Sequence, residues 1–220
     1  MILRLIKERL LSTKRAGAGF FILGLLTIIF VLVAVDFTYR RNLIQYNYEK
    51  LDDAITNSLL SGAIINRREY GQGGSLVIQE GETATTGDTY VINAARLFRD
   101  TIKYNLGIDE NYNITRYAGM EGTLMIDEFR VYNYFTYSDG NFRIVEYALT
   151  KDGTNITEYA MNEQVLVTTT DGVHEISETS LYADISVTLK LMGFSKVYCA
   201  FDESATRRQV HIKRLVSVVE

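Results

Sequence analysis

The sequence predicts an α+β protein: a long N-terminal helix, apolar first and amphipathic after, packed on an antiparallel β-sheet domain with one additional helix. Three observations predict it. Residues 16–35, AGAGFFILGLLTIIFVLVAV, carry no charge and are bounded by Lys14-Arg15 and Asp36. Apolar residues then recur at helical spacing from Phe37 to Ile64. Beyond Gly122 the period becomes two, in aromatic and β-branched runs separated by Asp-Gly turns. Helix first and strands after is the layout of an α+β chain, not of an alternating one.

Taken in order, residues 1–15 form a basic leader on the cytoplasmic side. Arg4, Lys7, Arg9, Lys14 and Arg15 stand there against Glu8 alone, whereas the whole chain has a net charge of −4. Ile2, Leu5, Ile6, Leu10 and Leu11 lie near one helical face. That suits either a short interfacial helix among anionic head groups or a leader peptide.

Residues 16–35 are the transmembrane segment. At about 1.5 Å per residue they reach about 30 Å, the thickness of a bilayer's hydrocarbon core, where a lone segment satisfies its backbone only as a helix. A cleaved secretory signal fits less well. Its apolar core is usually about 7–15 residues, and Leu32-Val33-Ala34 puts Leu where a small residue is wanted. The segment reads as a retained anchor, with the basic end inside and the domain outside.

Residues 36–66 continue the same helix. Phe37, Ile44, Tyr48, Leu51, Ile55, Leu59 and Ile64 make one apolar stripe, and no glycine or proline interrupts residues 36–61. Gly62 is the first weak point. Arg67-Arg68 near the end would complement the negative end of the helix dipole.

Residues 67–220 form the extracytoplasmic α+β domain. Its first part, GQGGSLVIQEGETATTGD (71–88), is a loop with room for a short strand at 76–79. The GxGG in it lacks the Lys-Ser/Thr tail of a phosphate loop and the third glycine of a dinucleotide loop. Asp88 then caps a second helix. Val91, Ala95, Phe98, Ile102 and Leu106 are its core face, and Gly107 is its stop.

Strands follow. Ser138-Asp139-Gly140-Asn141 joins a hairpin, Lys151-Asp152-Gly153-Thr154 turns again, and Thr170-Asp171-Gly172 turns a third time. The clearest strand is LYADISVTLKL (181–191). Leu181, Ala183, Ile185, Val187, Leu189 and Leu191 face a core, and Tyr182, Asp184, Ser186, Thr188 and Lys190 face water. SKVYCAF and RQVHIKRLVSVV are further strands. The sheet's apolar face is expected against the outer half of the long helix.

Composition narrows the function. An acidic domain lacks the clustered cations that phosphate neutralisation needs, so no nucleic acid partner is expected. Cys199 is the only cysteine, so the chain holds no internal disulfide, and within an apolar strand it reads as a small buried hydrophobe. Of the two histidines, His174 lies beside a turn and His211 on a strand, without the spacing of a metal site. Asp109-Glu110-Asn111 lacks the alternating ligands of a calcium loop. Asn113-Ile-Thr115 and Asn155-Ile-Thr157 match the short N-glycosylation pattern. No nucleophile–base, zincin, CxxC or phosphate-loop motif occurs. The expectation is a non-catalytic protein with no cofactor and no metal site. Tyr132, Tyr134, Tyr137, Tyr147 and Tyr159 alternate with polar residues, which fits either an exposed contact surface or half-buried sheet packing.

The layout also carries a resemblance. KRAGAGFF (14–21), the apolar run to Val35, the Asp36-Phe37 exit and SLYADISVTL (180–189) resemble the TadE/TadG-like minor pilins, or pseudopilins, of tight-adherence and related type IV-like bacterial pili, including divergent clostridial-type members. The resemblance implies a pilin-like fold and a structural subunit in the cytoplasmic membrane. It also implies a role in assembling or capping a cell-surface pilus used in adhesion or secretion. Its implied partners are membrane lipid, other pilin subunits through the N-terminal helix, the pilus assembly machinery, and a prepilin peptidase cutting between Gly19 and Phe20. Type IV pilins generally carry Glu at the fifth mature position, where this chain has Gly24. That departure implies a minor subunit. The alternative is a single-span, membrane-anchored extracytoplasmic binding module outside any filament.

Overall fold

The computed structural model describes residues 2–78, 88–115, 122–150, 153–190 and 207–218. Its first element is one continuous helix, α1, Ile2–Gly62, of 61 residues. At about 1.5 Å per residue α1 is about 90 Å long. Leader, apolar run and amphipathic part form a single rod, so residues 2–15 are its first turns and not a separate piece.

The second half of α1 enters a core. Leu51, Ile55 and Leu59 are fully buried at the spacing the stripe required. The stripe is shorter than expected, because Phe37 is 69% exposed and Ile64 38%. The end of α1 is closely packed. A Cβ on Gly62 would lie 3.0 Å from the Ala94 carbonyl oxygen and 3.3 Å from Leu181 Cδ2. After a short break comes α2, Arg67–Gly73. Arg67-Arg68 therefore open α2 and do not cap the dipole of α1, a correction to the expectation. The short strand expected at 76–79 is reduced to one bridge, Ile65 with Ile78.

The helix α3, Asp88–Leu106, has the bounds its signals required. Gly107 follows in the left-handed region (φ 59°), and its neighbour Ile108 donates its amide to the Lys103 carbonyl, satisfying an orphan acceptor of the last turn. Val91, Ala95, Phe98, Ile102 and Leu106 are all buried, as their period demanded.

The sheet contains β1 (Met125–Thr136), β2 (Phe142–Thr150), β3 (Gly153–Glu158), β6 (Ser180–Lys190) and β7 (Arg207–Ser217) in the order β3-β2-β1-β6-β7. All neighbours are antiparallel. A separate hairpin pairs β4 (Leu166–Thr169) with β5 (Gly172–Glu175). The α+β layout is thus a helix pair, α1 and α3, on one sheet face, with the small hairpin on the other. Phe98 of α3 meets Phe129 of β1 with ring centroids 5.2 Å apart. On β6, Leu181, Ala183, Ile185, Val187 and Leu189 point into this core.

The opposite face of β6 corrects the expectation of a wet surface. Tyr182 and Ser186 are 4% and 3% exposed. Tyr182 joins Tyr132, Ile144, Val165, Val167 and Ile176 in a second apolar cluster. Amphipathic alternation shows that a strand has two faces; it does not show whether another element covers the polar one. The expected strand SKVYCAF with Cys199, Leu191, and most of the 79–87 loop lie outside the described residues.

One side chain ties the layers. Arg214 of β7 lies opposite Ala183, on the helix side of the sheet. Its guanidinium bonds Asp52 of α1 and Asp171 of the β4–β5 turn. The Asp52 carboxylate holds the guanidinium proton more firmly than usual. Thr170 beside it donates its amide to the Lys213 carbonyl at 3.1 Å, docking the turn on β7.

Two stability outcomes follow from these contacts. Gly62→Val forces a side chain into the α1–α3–β6 junction and should cost about 1–3 kcal/mol, the usual cost of overpacking. Chemical denaturation of the full chain in detergent reads it; wild-type stability would show that the junction yields. Arg214→Met keeps the stem and removes both ion pairs. It should destabilise by about 1–2 kcal/mol, as both carboxylates are partly solvated and lose one partner.

Candidate functional site

The functional surface starts with what α1 leaves bare. From Phe20 to Val35 the run is apolar all round, so no single stripe could face a core. Every large side chain in it is about half exposed or more, from Ile29 at 48% to Phe20 at 76%. Transfer of one such side chain out of water is worth about 1.5–3 kcal/mol, so a surface of this size is matched to lipid or to other apolar helices. The polar atoms in the run suit that surrounding. Thr27 turns its hydroxyl back onto the Leu23 carbonyl (2.9 Å), and Thr38 does so onto Ala34 (2.9 Å), leaving neither hydroxyl unsatisfied. At the exit, Asp36 and Arg40 neutralise each other across one turn at 2.7 Å.

Gly19 and Phe20 sit within this helix. No atom approaches within 4 Å of where a Gly19 Cβ would be, and the same holds for Gly24. The fold brings no other described group to the Gly19–Phe20 bond.

The second polar surface is the outer face of the sheet. Antiparallel register places Arg130 opposite Tyr182 and Tyr132 opposite Glu146. Arg130 Nη1 donates to Glu146 Oε1 at 3.0 Å and to the Tyr132 hydroxyl at 3.3 Å, and Nη2 bonds Glu128. The Tyr159 hydroxyl donates to the other oxygen of Glu146 at 2.6 Å. The Arg130 guanidinium lies 5.9 Å from the Tyr182 ring centre. Burial, then the nearby carboxylates, push the Tyr132 and Tyr182 phenols up to about 12, and Tyr159 is raised further in the same direction. The alternating tyrosines therefore serve sheet packing more than an open surface. Tyr132 is buried, and of the five only Tyr137 is freely exposed. This network cross-links β1, β2 and the chain after β3. It offers no activated nucleophile, because each phenol is held protonated.

A third group was invisible in the sequence. Asp127 sits at a bulge between Ile126 and Glu128 on β1. Asp127, Asp184 and His211 place ligand atoms within 4.8 Å of one another. Lys213 Nζ, directly across from Asp184, is 3.2 Å from its carboxylate, and His211 Nδ1 is 3.8 Å from Asp127. Lys213 already meets Asp184 and the imidazole of His211 stands beside Asp127, so the group reads as a cross-strand polar ladder. No spacing rule could find it, since a bulge shifts which residues share a face.

Other sequence candidates resolve locally. His174 is exposed on β5. Asp109 accepts the amides of Asn111 and Asn113 at 2.9 and 2.8 Å and the Asn113 side chain at 3.1 Å, which lowers its carboxyl pKa and commits it to its own loop. Asn113 is held by that bond, whereas Asn155 is exposed on β3. A cleft of about 480 Å³ between α3 and the start of β1 is lined by Ala95, Phe98, Phe129 and Leu149 with Arg99, Asp127 and Glu128. Those charges supply no nucleophile–base pair.

Fold and surface together define a class: an α+β protein with one N-terminal helix long and apolar enough to span a membrane, that helix running unbroken into its domain. No family model matches the chain, and no curated protein or solved structure matches it.

Alkaline pH tests the polar face. Tyr132 and Tyr182 ionise near 10 when unfolded and near 12 when folded, so the native state holds the extra protons between those values. Their contribution is complete below pH 10 and should be lost as pH rises through 12. Absorbance at 295 nm should show these two phenols titrating together with unfolding. A Tyr132→Phe variant should lose stability less steeply over that window than the parent.

Proposed function

We propose that this chain is a structural, non-catalytic, pilin-like subunit: a minor pilin or pseudopilin that inserts in the cytoplasmic membrane and takes part in assembling or capping a surface pilus. The observation that carries the reading is the continuity of α1. One rigid helix is bare along its apolar half and built into the domain core along its other half. Such a rod can be stored in lipid, then withdrawn and buried among the apolar helices of other subunits, without its domain changing. The exchange is close to neutral because lipid tails and neighbouring helices are equally apolar. A helix that ended at the membrane, joined to its domain by a loose linker, could not hold domains at fixed spacing along a filament.

The leader charge and the KRAGAGFF sequence support an inside N-terminus and processing at Gly19–Phe20. Gly24, in place of an acidic residue, supports a minor position in place of deep packing in a shaft. The acidic domain outside, joined through α3, β6 and β7 to the rod, would be the part displayed.

Mass spectrometry of the N-terminus from cells tests this directly. A chain beginning at a methylated Phe20 is expected. An intact leader on protein found only in the membrane fraction would favour the plain anchored binding module. A second readout is cysteine cross-linking. Pairs introduced at Ile22 and Leu26 should link copies of this chain to pilus subunits, and recovery of monomer alone would sink the assembly role.

A further inference from the structure

The segment of α1 just past the apolar run belongs neither to the span nor to the domain. The first α1 residue that the domain buries is Asn47, 3% exposed. Between Val35 and Asn47 lies roughly 18 Å of helix. Its first turns carry Phe37 (69% exposed), Tyr39 (55%) and Arg41, also exposed.

The angular positions decide what surrounds them. At about 100° per residue, Phe37 falls on the same side as Ile55 and Leu59, the side the domain occupies farther up. Tyr39 falls about 160° away, on the opposite side of the rod. Aromatic rings on both sides of one helix, directly after an all-round apolar run, call for surroundings that encircle it. A protein groove covers one face; a lipid layer covers all.

Distance sets how far that layer extends. A bilayer is about 30 Å thick in hydrocarbon and about 40–45 Å with head groups, leaving about 5–8 Å of headgroup layer on each side. With Val35 at the hydrocarbon edge, Phe37 stands about 3 Å, Tyr39 about 6 Å and Arg41 about 9 Å beyond it. Tyr46 stands about 16 Å beyond, clear of the lipid. Its ring has a cation of its own, Lys50, with Nζ 5.7 Å from the ring centre. Of the two arginines, Arg40 is bonded to Asp36 within the helix, and Arg41 lies about 100° round from it.

We propose that residues 36–41 form an interfacial collar that binds phospholipid head groups. Phe37 and Tyr39 lie at the hydrocarbon boundary on opposite sides of the helix, and the Arg41 guanidinium takes a lipid phosphate as a charge-assisted pair. The collar fixes how far α1 slides through the bilayer, so the domain stands about two helical turns above the head groups. This rests on α1 crossing a membrane and on nothing about filaments. It holds for the unassembled chain, processed or not, and for either orientation.

The test uses the full chain with Cys199→Ser, reconstituted in nanodiscs of phosphatidylcholine and phosphatidylglycerol. Single nitroxides replace Phe37, Tyr39, Tyr46 or Ser61, and their collisions with oxygen and with a neutral nickel chelate are compared. Phe37 and Tyr39 should both be shielded from nickel several-fold relative to Ser61, and Tyr46 should match Ser61. In a label-free chain, Arg41→Gln should retain about fivefold less phosphatidylglycerol after detergent extraction, the worth of one cation at an anionic surface. Shielding of Phe37 alone, or of neither ring, overturns the collar. So does shielding that reaches Tyr46 and Ser61, or unchanged lipid retention in Arg41→Gln. None of these outcomes bears on processing at Gly19–Phe20, so the collar and the pilin-like reading stand or fall separately.

Discussion

Everything in this structure depends on one helix having to satisfy two solvents without a break. The run from Phe20 to Val35 is apolar on every side, as a helix long and apolar enough to span a membrane is. The second half must be apolar on one side only, since a sheet and α3 cover it. Between them the backbone hydrogen bonds continue, so the direction of the core face is fixed by the direction of the span. Leu51, Ile55 and Leu59 are then the points at which the domain is bolted to the anchor. A proline within residues 36–61 would break that coupling, and none is present. Where α1 must stop, it stops at a residue without a side chain, because the backbone of α3 and Leu181 leave no room for one.

The sheet meets the second demand of this arrangement, which is to be two-faced across its full width. Its helix side is mostly apolar, with Asn133 held on the Ile78 amide and Arg214 reaching Asp52 and Asp171. Its outer side is charged at the centre, and charged groups under a covering hairpin are costly unless paired. Glu146 and Glu128 are placed around Arg130 for that reason, and Tyr132 and Tyr159 add two further bonds, though Arg130 Nε is left without one. The hairpin then adds Val165, Val167 and Ile176 over the rim of the network. The network specifies which strands pair more than it stabilises them. A one-residue slip of β1 would carry Arg130 into the apolar core.

Most of the fold was legible because its elements are strongly periodic. The second helix, the Ser-Asp-Gly-Asn hairpin and the inner face of β6 all follow from spacing plus turn residues. What was not legible has a common physical cause: it depends on which element lies next to which. Tyr182 alternates as a solvent-facing residue should, yet Val165, Val167 and Ile176 from elsewhere in the chain pack with it. Arg67-Arg68 suited the end of α1, but that helix ends earlier, at Gly62, and the two arginines open α2. Asp127 joins Asp184 and His211 only through a bulge. Local sequence reports the chain's own period, and it is silent about cover. The bare run was legible for the same reason turned round, since a helix apolar on all sides needs no neighbour to be recognised.

The uncovered half of α1 also limits how the molecule can be used. In water each of its leucines, isoleucines and phenylalanines would cost about 1.5–3 kcal/mol, far beyond the stability of a domain this size in sum. The helix therefore never stands alone in solvent. Any movement out of the bilayer has to be a direct exchange of lipid for other helices, face by face, with the thermodynamic balance decided by small terms. Those small terms sit at the ends of the run. On the N-terminal side they are the leader cations; on the domain side, the Asp36–Arg40 pair and the exposed rings just beyond it. A long apolar segment supplies the affinity for any apolar surrounding, and its polar ends set which surrounding is preferred.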